Sequence, residues 1–190
     1  MNNNQQQQKQ AMLLKLSIVL QWLPQKIGKV IAILCFVLVI DIFAVVILRY
    51  LFDTPSVMLQ EAGMWLHSTL FMLGAAYTYS QDEHVRVDIF YRDNSPRYKA
   101  WIDILGSLIL LLPLCGYLFF NSWQYVLSSW NISESSAEVG GLPALYLLKT
   151  LILALPLLLS LQALATILKN IAVLQDHQQP PAQKSSEAEL

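Results

Sequence analysis

VIAILCFVLVIDIFAVVILRY, residues 30–50, holds a single acid, Asp41, and a single base, Arg49. A surface helix of a soluble domain pairs an apolar stripe with a charged face. This run has no charged face. At ~1.5 Å per residue it is long enough to cross a ~30 Å hydrocarbon core. Three further stretches read the same way, so the apolar segments are 27–50, 57–79, 101–122 and 142–168. Little of the chain lies outside them, and no outside segment is long enough to form a soluble catalytic domain. The composition agrees, with 55% hydrophobic and 13% charged residues, where soluble domains carry ~25% charged. The sequence predicts an all-α integral membrane protein with four transmembrane helices forming one domain over 27–168.

The placement of charge predicts the topology. Lys9, Lys15, Lys26 and Lys29 precede the first span, and Arg86, Arg92, Arg97 and Lys99 fill the 80–100 connection. The 123–141 connection has no Lys or Arg, but has Glu134 and Glu138. Basic residues are retained on the cytoplasmic side during insertion, and acids count for little. Both termini and the 80–100 loop are therefore expected in the cytoplasm, with 51–56 and 123–141 outside.

Residues 1–10 are rich in Asn and Gln and are expected to form a disordered polar tail, as are 169–190, which include Pro180-Pro181. Between the first tail and the first span, Met12, Leu13, Leu16, Val19, Leu20 and Leu23 recur at helical spacing. They predict an amphipathic interfacial helix over 11–26, stopped at Pro24. Pro113 and Pro156 fall near mid-membrane and predict kinks that fit neighbouring helices. Cys35 and Cys115 lie at different depths, so no disulfide is expected.

Ionisable groups in hydrocarbon are costly and need partners. Counted along the helices, Asp41 and His67 lie ~13 and ~15 Å below the outer edge. They sit on consecutive antiparallel spans, so a polar contact between them is one expectation, and a partner protein facing either residue is the other. Arg49, Glu61 and Lys149 lie nearer the edge, at ~2, ~6 and ~9 Å. Arg49 and Glu61 flank the tight outer loop and could bridge across it. Lys149 could reach outward or meet an acid of another subunit.

Several chemistries lack their residues. Haem in a four-helix membrane bundle needs paired axial His ligands, but only His67 lies in a span. There are no paired outer-loop Cys for thiol oxidation, no metal-ligand spacing and no Gly-rich phosphate loop. No enzyme activity, no cofactor, no metal and no nucleic-acid partner is expected. A self-sufficient small transporter or channel, built as a homo-oligomer, stays open as the alternative. It lacks the internal repeat usual around a midplane site.

The order of the polar landmarks adds a resemblance. Asp41, Arg49-Tyr50-Leu51-Phe52, Glu61, Gly74-Ala75-Ala76-Tyr77 and His84-Val85-Arg86-Val87-Asp88 follow one another at set positions relative to the spans. Pro96-Arg97, Trp101, Gly106, Pro113, Glu134-Ser135-Ser136, Gly140-Gly141-Leu142-Pro143, Lys149 and Gln162 continue the pattern. Together they resemble the small, Q-type membrane subunit of tripartite ATP-independent periplasmic (TRAP) transporters, over about 27–168. The pattern departs at Gln60 and Met64, where many members have an acid and an Arg. The resemblance implies a multi-pass protein of the bacterial inner membrane. It would brace a large multi-spanning transporter subunit and help to dock a periplasmic substrate-binding protein, for ion-gradient-driven uptake of an organic acid or related solute. His84, Arg86 and Asp88 match the cytoplasmic loop motif, and Glu134 and Glu138 are the outer-loop candidates for docking.

Overall fold

The computed structural model describes residues 3–81 and 94–176. Its elements are helices α1 (Asn3–Tyr50), α2 (Val57–Ser80), α3 (Pro96–Leu105), a π-helical segment (Gly106–Leu111), α4 (Leu112–Asn131) and α5 (Leu145–Asp176). The described residues contain no strand. α3, the π-helical segment and α4 run on as one helix, Pro96–Asn131. The π-helical segment precedes Pro113. A proline ring crowds the carbonyl four residues before it, and a wider turn relieves that crowding. Accordingly, the Leu112 N–H donates to the Ser107 carbonyl, five residues back.

Local chemistry sets the helix starts. The Ser56 side chain accepts from the Leu59 N–H and caps α2. Ser95 caps α3 in the same way through the Tyr98 N–H, and Pro96 follows at the first turn, where its missing N–H costs nothing.

α5 is the centre of the bundle and packs against α1, α2, α3 and α4. α1, α2 and α5 each pack against the other two. Small residues line these contacts: Ala76, Ala163 and Ala165 are fully buried, and Ala100, Ala172, Ser107 and Ser129 nearly so. The large apolar side chains point the other way, with Phe36, Phe43, Phe71 and Phe120 all more than 60% exposed. Helices in lipid gain nothing by hiding large apolar groups from water, so they associate through small residues that let backbones approach. Gly28 is one such point, because any side chain there would collide with the Tyr77 ring.

α1, the Pro96–Asn131 helix and α5 are each long and apolar enough to cross a membrane. α2 has 24 residues, enough in length, but it is less apolar, with Gln60, Glu61, His67, Ser68 and Thr69 along it.

Three sequence expectations are corrected. Pro24 does not stop a helix, because α1 continues through it as one element of 48 residues. An interior proline costs ~3 kcal/mol, and tertiary packing offsets it here. Pro24 is buried, and Met12, Leu13 and Leu16 lie with Ile171 and Gln175 of α5 around an apolar cavity of about 330 Å³. The segment 11–26 thus adjoins α5 at its start and is continuous with the first span. Parts of the two segments expected to be disordered tails are helical. Residues 3–10 are helical, since Asn, Gln and Lys contain no breaker and extend a helix already nucleated. α5 runs on to Asp176, with Ala172 buried.

Candidate functional site: the loop end of the bundle

The connections 51–56 and 132–144 lie at the same end of the bundle, and Glu61 ties the second of them to α2. Glu61 stands on the first turns of α2. One of its carboxylate oxygens accepts from the Ser136 hydroxyl, and the other accepts from the Leu142 N–H at 2.6 Å. The two donors are six residues apart on the long connection, so one carboxylate ties both sides of that loop to α2. The Ser136 N–H donates to the Leu142 carbonyl, closing the loop on itself, and the Ser136 oxygen also accepts from the Glu138 N–H. Gly141 passes close to the carboxylate. A Cβ there would stand 2.7 Å from the Glu61 oxygen and 2.5 Å from the Ser136 hydroxyl. Gly140 takes φ +80°, which favours glycine. The Gly140-Gly141 pair is therefore a requirement of the Glu61 knot.

A second tie lies beside it. Lys149, on the first turns of α5, donates to Glu134 at 2.5 Å and stands 4.3 Å from the centre of the Tyr125 ring of α4. The ammonium draws the Glu134 carboxyl below the usual carboxylate range. The Trp130 ring N–H donates to the Thr150 hydroxyl at 2.9 Å, and its ring lies 4.5 Å from that of Tyr146. α4 and α5 are thus clamped on both sides of their connection.

Two expected pairings do not form. Arg49 does not reach Glu61, whose oxygens are taken by Ser136 and Leu142, and instead its guanidinium lies 5.9 Å from the Tyr50 ring. Asp41 and His67 line one groove between α1 and α2, together with Gln60, Gly63 and Met64. No hydrogen bond joins them, and the buried Asp41 Oδ2 has no donor. It packs against Gly63 instead, where a Cβ would come within 2.7 Å. Gln60 and Met64, the positions at which the family pattern departs, border the same groove. Glu138 is exposed, beside the fully exposed Val139, whereas Glu134 is engaged by Lys149. His84, Arg86 and Asp88 lie outside the described residues.

The opposite end holds polar contacts that sequence reasoning missed. Asn170 donates to Asp103 at 3.3 Å, and the Tyr79 and Ser107 hydroxyls are 3.1 Å apart. These residues and Gln162 surround or adjoin a small polar cavity of about 140 Å³. Gln162 is 2% exposed, and its side-chain oxygen has no donor among the described residues. The available signal was the alternation of polar Gln162, Thr166, Lys169 and Asn170 along one face of an otherwise apolar helix. Among the described residues no cluster of His, Cys, Asp or Glu has the arrangement of a metal site.

Comparison with known proteins agrees with this anatomy. Residues 38–173 match the family of tripartite ATP-independent periplasmic transporters, DctQ component. A Haemophilus influenzae protein, provisionally named a TRAP transporter small permease, is 29% identical over 123 residues, covering 62% of this chain and 73% of its own length. No solved structure matches. The family match runs from within α1 to near the end of α5, including both ties at the loop end. The chain belongs to the DctQ family and is a small membrane subunit of a TRAP transporter.

Proposed function

We propose that this subunit is a scaffold of the inner membrane, bracing the large multi-spanning subunit and presenting a docking surface to the periplasmic substrate-binding protein. The observation that carries this reading is where the polar groups are used. Glu61, Lys149 and Glu134 bind parts of the same chain to one another at the loop end. The bundle interior is closed by small side chains, while the large apolar ones face outward, toward lipid or a partner. That suits a rigid brace better than a pathway for solute.

Four crossings fit the geometry. α2 is ~36 Å long at helical rise, runs back from α1 through a short connection, and packs along α1 and α5. With Arg97 and Lys99 at the start of α3 on the cytoplasmic side, the loop end faces the periplasm and both termini face the cytoplasm. The docking surface then comprises Glu138 and Val139 at the tip of the outer loop, since Glu134 is neutralised by Lys149. His84, Arg86 and Asp88 belong to the cytoplasmic connection, where Arg86 suits anionic headgroups. No nucleotide-binding segment is recognisable, so uptake of the organic acid or related solute draws on an ion gradient through the large subunit.

The test is reconstitution. Proteoliposomes containing the large subunit, with the binding protein added outside, should take up solute under a sodium gradient only when this chain is present. Uptake by this chain alone would favour a self-sufficient transporter and overturn the scaffold reading.

A further inference from the structure

Among the described residues, Asp41 is the one ionisable side chain with a buried polar atom left without a partner by its own chain. Its Oδ2 is buried without a donor, and no salt bridge reaches it. His67 and Gln60 share its groove without bonding to it. The groove between α1 and α2 measures about 390 Å³, enough for a long side chain. Its rim is apolar and open, with Ile42 and Met64 both 52% exposed. From its position along α1, Asp41 lies ~13 Å inside the hydrocarbon.

An acidic group at that depth needs a donor, and acyl chains have none. Lipid filling the groove would leave the carboxyl without a partner. A second copy on a two-fold axis would set two Asp41 carboxyls against each other, which low-dielectric surroundings penalise. The complementary occupant is a helix with a basic or hydrogen-bonding side chain. Gly63 favours such an occupant, because its missing side chain lets the carboxyl lie back against α2 and keeps the groove open.

We propose that the α1–α2 groove is the seat for a transmembrane helix of the large subunit, which donates a hydrogen bond or a positive charge to Asp41. This rests on the scaffold reading above, because it takes the large subunit as the partner. Packing would follow the rule for helices in lipid, with the small Gly63 at the contact and a polar group as the specific anchor.

The experiment uses the full complex. A photoreactive amino acid is placed at Met64, on the groove rim, and irradiated in native membranes. The expected product is an adduct with the large subunit. Separately, Asp41→Leu should lower the large subunit recovered with this chain by about tenfold or more, as loss of a buried charge-assisted bond requires. Asp41→Asn keeps an acceptor and should retain more. Asp41→Leu should leave the thermal stability of the isolated chain unchanged or raised, since the carboxyl it removes has no partner there. Adducts only with lipid or with a second copy would overturn the proposal, as would unchanged recovery in both variants. If the wild-type chain recovers the large subunit in those cases, the scaffold reading survives. If it recovers none, the scaffold reading fails too.

Discussion

Replacing Glu61 should release the outer loop while leaving the bundle folded. The carboxylate accepts two hydrogen bonds, from Ser136 and from the Leu142 N–H, and both are partly buried. Bonds to a charged group contribute about 1.5–3 kcal/mol each, and a donor left unsatisfied costs about 1–3 kcal/mol. Glu61→Ala removes both acceptors at once. The hydroxyl of Ser136 can turn to another partner, but the Leu142 N–H cannot. The local cost should therefore be about 3–5 kcal/mol, taken from loop opening more than from global unfolding. Glu61→Gln keeps one acceptor oxygen and presents an amide to the other donor, so about half of that is expected. Hydrogen exchange at the Leu142 amide reads the effect directly. Protection there should fall by about two to three and a half orders of magnitude in Glu61→Ala, following about 1.4 kcal/mol per tenfold, while exchange in α5 around Ala163 stays slow. Equal protection of Leu142 in the variant and the parent would refute the reasoning, because the loop would then be held by something other than this carboxylate.

Gly141→Ala should loosen the same loop, since its methyl would stand 2.7 Å from the Glu61 oxygen. Protease cleavage within 132–144 should be faster than in the parent, and unchanged cleavage would count against a tight knot. Glu134 titrates lower in the folded chain than in the unfolded one, so its contribution is present above the unfolded value near 4.5 and is lost as pH falls through the depressed folded value. A thermal-stability profile from pH 7 to pH 3 should show that acid loss in the parent and a smaller one in Lys149→Met. Met64→Arg would set a guanidinium on the rim of the groove that holds Asp41. It should raise the stability of the isolated chain and reduce recovery of the large subunit; a variant that associates like the parent would argue against an open seat there.

Three of the four expected spans were legible, as helices long and apolar enough to cross a membrane, because apolar length is a local property. Residues 30–50 announce a membrane helix whatever surrounds them. Polar partners were less legible, because they depend on which distant segments meet. Arg49 is near Glu61 in sequence, so a bridge was the natural expectation. The carboxylate is taken instead by Ser136 and Leu142, 75 and 81 residues away. The Gly140-Gly141-Leu142-Pro143 string was visible as a motif, but its purpose emerges only beside Glu61. Pro24 misled for the opposite reason. Its local preference to end a helix was real, and packing of residues 12–16 near the end of α5 overrode it. Asp103 was passed over because it lies among ordinary helix residues, and Gln162 was visible only as one member of a pattern; only the fold brings them to one cavity.

On the four-crossing reading proposed above, the modest hydropathy of α2 follows from its position. A helix ringed by lipid must be apolar on every face, and α1 comes close to that, with Phe36, Val39, Ile42 and Phe43 all exposed. α2 is shielded by α1 on one side and α5 on the other, so fewer of its faces meet lipid. It can therefore carry Glu61 into the loop knot, and Thr69 and Ser68 can return their hydroxyls to carbonyls of their own helix. Gln60 and His67 have no such use within the chain. Both open on a groove between α1 and α2, alongside Asp41. Polar residues that serve the fold of this chain thus concentrate at its loop end and between its helices. Of those left over, Asp41, Gln60 and His67 converge on one lateral opening, the place proposed above for the brace to become specific for what it holds.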